Sequence, residues 1–501
     1  MIQAICLDKY DSERSYSGEN FKGLTNLRFL QLCGASFTGD FQNTLSELRW
    51  LHWERCPSNF VAANFHPKQL IVLDLSGSEI SEDWGGWGPI KMATKLKVLN
   101  LLSCPHLKRI PDLTAFESLE ILILEKCENL EEIYPSIGDN KSLISLNVSG
   151  CRRVEELPIG VGRLEELKEL LINDTAIREI PMLGKGLMKL ETLNASCCGR
   201  LEELPVGVGT MEKLRELLIN DTAIRGIPMS GRGLKELKTL NASGCRNLKE
   251  LPTGVGSMEE LRELFINNTG IQEITISGGG LLKLETLCAS YCEELAQLSE
   301  SMGSLVSLTQ IDLSHSGIEE LPKSMVFPKS LTRLDLSYIW IEKLSKSLDS
   351  LVSLTQLDLS HSGIREFPKL RAYMQPLTQL DLSHIGIEEL PNGIYHFSRL
   401  THLNLSYLGI KQLPESMGDL WYLQHLLLQG CCLLRHLPDS IGKLKSLTEL
   451  NLRSTGIAKL PDNMQDLKNL KILDIRGTNI TTLPDRFSVA LPDLEISWEQ
   501  M

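Results

Sequence analysis

Residues 167–181, LKELLINDTAIREIP, decide the fold of this chain. The spacing L-x-x-L-x-L places alternating apolar side chains on one face of a short strand and the intervening residues on the other face. Near-copies begin at Leu214 (LRELLINDTAIRGIP) and at Leu261 (LRELFINNTGIQEIT). A pattern that recurs in this way indicates a repeat protein, so the length of 501 residues does not imply several independent domains.

The same spacing continues along nearly the whole chain. Repeats begin at Leu27, Leu48, Leu70, Leu96, Leu119, Leu143, Leu167, Leu190, Leu214, Leu237, Leu261, Leu284, Leu308, Leu331, Leu354, Leu377, Leu400, Leu423, Leu447 and Leu470. From Leu96 the period is 23 or 24 residues, within the range of about 20–29 for leucine-rich repeats. We therefore predict an α/β solenoid, a leucine-rich repeat horseshoe of about 20 repeats. Parallel strands should form its concave face, and short helices or 3-10 turns its convex face.

The predicted organisation has three parts. Residues 1–26 form an N-terminal flank or cap, and residues 27–493 form the solenoid, with irregular repeats at 27–95 and regular repeats at 96–493. Residues 494–501 start another strand and stop, so we expect either that the natural chain is longer or that this chain is a truncated relative of a longer protein. Positions are numbered below from the first leucine of each repeat, so positions 1, 4 and 6 are the core positions of the strand.

Position 9 carries Cys, Thr or Ser in most repeats. The cysteines are Cys104, Cys127, Cys151, Cys198, Cys245, Cys292 and Cys431. We predict that these side chains satisfy backbone groups in the loop that leaves the strand. The adjacent pair Cys197–Cys198 lacks metal-ligand spacing, so we expect no metal and no cofactor.

The opening stretch and its two copies each contain an Asn-x-Thr triplet, at Asn173, Asn220 and Asn267. This triplet is the acceptor pattern for N-linked sugar. The chain does not begin with the charged and apolar segments of a signal peptide. We therefore interpret the triplet as a by-product of the repeat, with Thr175 as a position-9 residue.

Two columns on the predicted concave face are candidates for partner binding. Position 8 of six successive repeats holds Tyr291, His315, Tyr338, His361, His384 and Tyr407. Position 5 holds Asp312, Asp335, Asp358 and Asp381, and Arg333 lies beside them at position 3. Neighbouring carboxylates repel, so a partner presenting Lys or Arg would relieve them, and aromatic rings suit an interface hot spot. The alternative is that tandem copying spread the common motif LDLS without a binding role.

A second candidate surface is apolar. Leu171, Leu218 and Phe265 occupy position 5 in the three near-identical copies, where a polar residue is usual. We predict that they form a small exposed apolar strip.

Several function classes are disfavoured. The net charge of −13 repels nucleic acid and anionic membranes, and no segment has the roughly 18 apolar residues needed to span a bilayer. Phosphate loops of the GxxxxGK[ST] type, GxSxG elbows and HExxH motifs are missing from the sequence. We therefore expect no catalytic residues.

The irregular first repeats carry a family resemblance. FKGLTNLRFLQL (21–32), LSELRWLHWERCPS (45–58) and NFHPKQLIVLDLSGSEISEDW (64–84) resemble the leucine-rich region of plant intracellular immune receptors. More narrowly, they are similar to the class with an N-terminal Toll/interleukin-receptor domain. The segments that recur there are LRWLxW, here Leu48 to Trp53, and FxPxxLVxL, here Phe65 to Leu73, followed by Trp84.

The resemblance implies a role and also marks departures. This chain has neither the signalling domain nor the nucleotide-binding switch module of such receptors, so their activities are not carried over. It implies a cytoplasmic or nuclear sensor that recognises a pathogen effector or a host guardee. It also implies contact with a switch module in the same chain or in another one. The alternatives are an intracellular scaffold for small GTPases or kinases, and a secreted receptor ectodomain. The sequence leaves the oligomeric state open.

Overall fold

The computed structural model divides the chain into two units. The first comprises residues 1–248 and 252–261, and the second comprises residues 249–251 and 262–501. Residues 1 and 8–13 of the predicted flank and 499–501 of the predicted tail lie outside the described part. The structure describes residues 2–7, 14–229, 233–252, 254–276, 280–322, 324–342, 348, 350–365, 375–390, 392–484 and 487–498.

In the first unit, short parallel strands follow one another at the repeat period. The strands are β1 (Ala4–Cys6), β2 (Ser15–Tyr16), β3 (Phe29–Cys33), β4 (Ser36–Asp40), β5 (Trp50–Glu54), β6 (Val61–Ala63), β7 (Val72–Asp74), β8 (Val98–Asn100), β9 (Ile121–Ile123), β10 (Ser145–Asn147), β11 (Glu169–Leu171), β12 (Thr192–Asn194), β13 (Glu216–Leu218) and β14 (Thr239–Asn241). β1, β3, β5 and β7 to β14 pair in parallel in that order. β2, β4 and β6 pair separately, beside the irregular repeats.

The second unit repeats this arrangement. Its strands are β15 (Glu263–Phe265), β16 (Glu273–Ile274), β17 (Thr286–Cys288), β18 (Gln297–Leu298), β19 (Gln310–Asp312), β20 (Arg333–Asp335), β21 (Gln356–Asp358), β22 (Gln379–Asp381), β23 (His402–Asn404), β24 (His425–Leu427), β25 (Glu449–Asn451), β26 (Ile472–Asp474) and β27 (Glu495–Ser497). β15, β17 and β19 to β27 pair in parallel in that order, and β16 pairs with β18.

Helical segments are short, as the sequence predicts for the far side of each repeat. The α-helices are α1 (Trp87–Ile90) and α2 (Phe487–Ala490). The 3-10 helices are Gly18–Phe21, Pro135–Asp139, Ile159–Arg163, Val206–Thr210, Val255–Ser257, Glu300–Ser304, Asn392–His396, Glu415–Asp419, Asp439–Lys443 and Asp462–Asp466. Several begin directly after a proline, whose fixed φ suits the start of a turn. Among the residues described, no helix combines the length and the apolar character required to cross a bilayer.

The core consists of the leucines at positions 1, 4 and 6. In the repeat at Leu331, the side chains of Leu331, Leu334 and Leu336 are at most 2% exposed. Within each unit, position 4 pairs with position 4 of the next strand, as Leu334 does with Leu357. Each repeat therefore buries its leucines against its neighbours, and the side chains at positions 3 and 5 point away from this core. We call the surface that carries positions 3 and 5 the open face.

The irregular repeats of the first unit have an aromatic core instead. Trp53 is 1% exposed, and its ring centroid lies 4.4 Å from that of Phe37. Its indole N–H donates to the carbonyl of Ala35 at 2.8 Å. The LRWLHW segment thus serves packing, because Trp53 fills a core position of β5.

Candidate functional site

The acidic column predicted at position 5 is a continuous row on the open face of the second unit. One side chain comes from each of five neighbouring strands, β19 to β23: Asp312, Asp335, Asp358, Asp381 and Asn404. The 23-residue period puts them in register, because position 5 pairs with position 5 on the next strand. The spacing of parallel strands then separates neighbouring residues by about 4.8 Å.

Each carboxylate also stabilises the turn that follows its strand. Oδ1 accepts a hydrogen bond from the backbone N–H two residues later, at 3.0 Å for Asp312, 2.9 Å for Asp335 and for Asp358, and 2.8 Å for Asp381. Asn404 makes the same bond at 3.1 Å. Asp and Asn are therefore interchangeable for the turn, and the charge is not needed to form it.

The row is partly buried, and burial disfavours ionisation. Burial raises the pKa of Asp335, although hydrogen bonds from Ser337 oppose the rise. Burial raises the pKa of Asp358 to about 6, opposed by Ser360 and reinforced by the charges of Asp381 and Asp335. Within the described residues, none of the four carboxylates has an ion-pair partner. Their charges are thus left without a counter-charge.

The six rings at position 8 form a continuous stack, the aromatic ladder. It consists of Tyr291, His315, Tyr338, His361, His384 and Tyr407, whose neighbouring ring centroids are 3.9–4.3 Å apart with interplanar angles of 9–19°. Burial, together with the neighbouring His361, lowers the pKa of His384. Because neighbouring rings cover one another's faces, the ladder presents ring edges, hydroxyls and imidazole nitrogens.

The backbone beneath the ladder is left-handed. The six residues have φ between 54° and 61°, a region that bulky side chains rarely occupy. Position 8 has positive φ in all twenty repeats, and it is glycine in six of them: Gly34, Gly77, Gly150, Gly244, Gly430 and Gly477. The turn therefore requires this conformation, and six consecutive repeats adopt it with an aromatic residue despite the cost.

The ladder ends at Gly430. A Cβ atom on Gly430 would lie 2.5 Å from Cδ1 of Tyr407, so the last ring rests on the glycine backbone. The Gln429 amide also donates to the Tyr407 hydroxyl at 2.8 Å. This end of the stack is therefore fixed by its neighbours.

A groove of about 450 Å³ follows the acidic row. Beside the row, position 3 of β19 to β24 contributes Gln310, Arg333, Gln356, Gln379, His402 and His425. The rings of His402 and His425 stack at 4.4 Å, and Nδ1 of His425 lies 2.9 Å from Oε2 of Glu449. Sequence reasoning missed this column except for Arg333. The sequence could have predicted this column, because the alternation of a strand puts position 3 on the same side as position 5.

The predicted apolar strip is less exposed and less continuous than expected. Leu171, Leu218 and Phe265 are half-buried. The register places Asn194 between Leu171 and Leu218, since the copies recur every second repeat. Phe265 lies in the second unit, beside Cys288 on the next strand. The two leucines are therefore separated by an amide, and a binding role for these residues stays a prediction.

Charged side chains of the first unit are paired across neighbouring repeats. At position 2, Nζ of Lys168 lies 3.1 Å from Glu191, and Nη1 of Arg215 lies 2.8 Å from the same carboxylate. Lys97 and Glu120 pair at 2.6 Å in the same way. Charges of opposite sign thus neutralise one another along the position-2 column of this unit.

Position 9 behaves as predicted from the sequence. The Thr175 hydroxyl donates to the carbonyl of Ile172 at 2.7 Å, and the Cys198 thiol of the next repeat shares that carbonyl at 3.1 Å. Burial raises the pKa of Cys198, which keeps the thiol protonated. Asn173 of the first triplet accepts a hydrogen bond from the Ser149 hydroxyl at 2.7 Å, so its side chain links two neighbouring repeats. Among the described residues, no cluster of three His, Cys, Asp or Glu side chains is arranged to hold a metal ion.

Three models of leucine-rich repeats match parts of the chain. A leucine-rich repeat region model matches residues 95–241, and two leucine-rich repeat models match residues 306–364 and 422–444. None of these three describes a catalytic domain. Together they lie on regular repeats in both units.

Curated relatives are plant disease resistance proteins. The disease resistance protein RRS1 of Arabidopsis thaliana is 30% identical over 175 residues, which is 32% of this chain and 12% of that protein. RPS4B is 27% identical over 244 residues, 38% of this chain and 21% of the relative, and RPP4 is 30% identical over 177 residues, 34% and 15%. The chain thus matches a small part of each of these relatives.

Solved structures share the fold. The leucine-rich repeat protein LIC12759 of Leptospira interrogans has a TM-score of 0.63 at 24% identity, over 82% of this chain and 97% of that one. YopM of Yersinia enterocolitica has a TM-score of 0.55 at 19% identity, over 95% and 87%. The chain is thus an α/β solenoid of leucine-rich repeats, and its repeats resemble those of plant disease resistance proteins.

Proposed function

We propose that this chain is a non-catalytic protein-recognition solenoid of plant innate immunity. It senses pathogen effector proteins or a host guardee, and it regulates a nucleotide-binding switch module in the same chain or in another one. Its place of action is the cytoplasm or the nucleus. The similarity to disease resistance proteins supports the immune role.

The open face of the second unit, together with the aromatic ladder at position 8 of the same repeats, is the proposed recognition surface. The single observation that carries this assignment is the aromatic ladder, six stacked and exposed or half-exposed rings on strained backbone. Packing the core does not require these rings, because glycine serves the same position elsewhere. Strain that is retained without a folding role indicates a functional constraint, and Tyr is enriched in interface hot spots.

The test replaces ladder residues with the glycine that other repeats use. Tagged chain is co-expressed in leaf tissue with a panel of pathogen effectors and with the nucleotide-binding module of a related receptor, and association is measured by co-immunoprecipitation. We expect the triple variant Tyr338→Gly, His361→Gly, His384→Gly to lose association by roughly tenfold or more. Ser103→Gly changes the same position in the first unit and should leave association intact.

Two outcomes contradict the proposal at different levels. If the wild-type chain associates with neither an effector nor a switch module, the immune role fails. If it associates and the triple variant binds as well as wild type with an unchanged circular dichroism spectrum, another surface is responsible. Capture of a small GTPase or a kinase instead would support the scaffold alternative.

A further inference from the structure

The open face of the second unit also indicates the chemistry of its partner. We propose that its groove takes an extended basic segment of a partner protein, with Lys or Arg at alternate positions facing the row Asp312, Asp335, Asp358 and Asp381. This inference rests on the proposed function, in that this face is the recognition surface.

Charge complementarity is the first argument. The four carboxylates are at adjacent places on adjacent strands, and the described part of the chain supplies no ion-pair partner for them. Arg333 lines the groove at position 3 without pairing with the row, which leaves four negative charges against one positive charge. An acidic segment or a nucleic acid would add to the repulsion, whereas cationic side chains would remove it.

The Asp side chains keep an oxygen for a partner. Oδ1 of each Asp accepts the hydrogen bond of the turn. Among the hydrogen bonds described within the row, only Oδ2 of Asp381 also accepts one, from the Asn404 amide at 2.7 Å. Ammonium and guanidinium groups form their strongest hydrogen bonds with such carboxylate oxygens. The row is therefore suited to cationic donors, one after another along the groove.

Spacing is the second argument. Four residues on adjacent strands span about 14 Å, three intervals of about 4.8 Å. An extended chain rises about 3.4 Å per residue, so side chains at alternate positions are about 6.8 Å apart. Three such side chains span nearly the same distance as the row. A segment of the pattern Arg-x-Arg-x-Arg, lying across the strands, therefore matches its length.

The walls of the groove complete the fit. Gln310, Gln356 and Gln379 line one side with amides that can bond a peptide backbone, which has both donors and acceptors. A volume of about 450 Å³ lies within the range of ligand clefts. The groove is thus suited to a short extended segment rather than to a folded surface.

The test uses the whole chain and synthetic peptides. A fluorescent peptide of seven residues, with three arginines alternating with serines, is titrated and followed by anisotropy. One control peptide has citrulline in place of each arginine, which removes the charge and keeps the shape. A second control has three contiguous arginines. We expect the alternating peptide to bind roughly tenfold more tightly than either control.

The protein variants remove charge without removing the turn. Asp335→Asn combined with Asp358→Asn keeps the Oδ1 acceptor, as Asn404 shows at the same position. Asp74→Asn is the matched control, since Asp74 occupies position 5 in the first unit and makes the same turn bond at 3.0 Å. We expect the double variant to weaken the alternating peptide by roughly tenfold, and Asp74→Asn to leave it unchanged.

Each result decides the proposal. Equal binding of the citrulline peptide, or full binding by the double variant, overturns it. A loss in Asp74→Asn equal to the loss in the double variant shows an effect of net charge alone and also overturns it. If co-immunoprecipitation with effector or switch module survives the double Asp→Asn change but not the ladder-to-glycine change, the basic-segment inference fails and the proposed function stands. If the peptide behaves as expected and no immune partner associates, the inference stands and the proposed function fails.

Discussion

The open faces of the two units share one backbone and differ in how their charges are satisfied. On the open face of the first unit, position 5 carries one carboxylate, Asp74, and its Oδ2 lies 2.9 Å from Nδ1 of His52 on the neighbouring strand. At position 2 of the same unit, Glu191 contacts Lys168 at 3.1 Å and Arg215 at 2.8 Å. In the second unit, Asp335 and Asp358 lie side by side with raised pKa values and no cationic partner among the described residues. The position-5 carboxylate of the first unit therefore has a partner on the same face, whereas Asp335 and Asp358 have none among the described residues.

Position 8 shows the same contrast. Its backbone is left-handed in both units, so the turn is a property of the repeat and not of either face. The first unit satisfies the turn with glycine, small polar residues or exposed charges, as at Gly77 and Ser103. The second unit places rings there in six consecutive repeats. The backbone geometry is thus constant, and the choice of side chain distinguishes a scaffold surface from a candidate recognition surface.

The largest expected effect comes from a methyl group at position 8. Gly430→Ala would place Cβ 2.5 Å from the Tyr407 ring at a φ of +75°, whereas Gly77→Ala at φ +65° meets nothing within 4 Å. Left-handed strain costs each variant about 1 kcal/mol of unfolding free energy. Overpacking against the ring adds about 2 kcal/mol to Gly430→Ala alone. Urea unfolding followed by circular dichroism measures the loss in both variants. Equal losses would show that the Tyr407 ring moves aside without an energetic cost.

Neutralising the acidic row should stabilise the second unit. The pKa of Asp358, about 6 in the folded protein against an ordinary 3.8, corresponds to a cost of up to about 3 kcal/mol when the group is ionised. Partial exposure of the carboxylate reduces this figure. We expect Asp335→Asn with Asp358→Asn to raise the free energy of unfolding at pH 7.5 by about 1–2 kcal/mol.

The raised pKa of Asp358 should also make stability depend on pH. A carboxyl group whose pKa is higher in the folded than in the unfolded state binds its proton more tightly when folded. Wild-type stability should therefore increase as the pH falls from 7.5 through about 6, the pKa of Asp358. The double variant should lack most of this increase, and Asp74→Asn should retain it. An unchanged pH profile in the double variant would assign the effect to other groups.

The repeat pattern predicted the fold because, in a solenoid, the repeat period also fixes the register between neighbouring strands. Once Leu308 and Leu331 are both position 1, Asp312 must neighbour Asp335, and the structure confirms the parallel sheet with short helices and 3-10 turns. The bonding of Thr175 and Cys198 was predictable for the same reason. Local sequence alone sufficed for these features.

Ring stacking, the extent of the apolar strip and ion pairing depend on distances between side chains, which the repeat period does not determine. Stacking of His361 on His384 requires the left-handed φ, which six glycines at position 8 could have revealed. The continuity of the apolar strip was overestimated. The near-identical copies recur only every second repeat, so Asn194 lies between Leu171 and Leu218. Whether a charge finds a partner depends on side-chain reach, which no spacing rule gives.

Breaking an ion pair of the first unit should have a smaller effect. Glu191→Gln removes the carboxylate that Lys168 and Arg215 share. The Glu191 side chain is 29% exposed. We expect a loss of about 0.5–1 kcal/mol in the free energy of unfolding at low salt. High salt screens such pairs, so the loss should shrink between about 0.05 and 0.5 M NaCl. A salt-independent loss would indicate packing of the Glu191 stem instead of charge.

The smallest expected effect isolates the rings from the backbone beneath them. Tyr338→Gly removes two stacking contacts, at 4.0 and 4.2 Å, and relieves the strain of a bulky residue at φ 56°. Each exposed stack contributes about 0.5 kcal/mol, and relief of strain about 1 kcal/mol. The added chain entropy of glycine then leaves a net loss of about 0.5 kcal/mol.

Alanine supplies the comparison that makes so small a change interpretable. Tyr338→Ala loses the stacks and keeps the strain, but it avoids the added chain entropy of glycine, so it should be about 0.5 kcal/mol less stable than Tyr338→Gly. Ser103, at φ 55° in the first unit, should show the same difference between its Ala and Gly variants. Urea unfolding of the four variants measures both differences. Equal values mean that the two units share one backbone cost and differ in their rings; a larger value at Tyr338 would locate additional strain beneath the ladder itself.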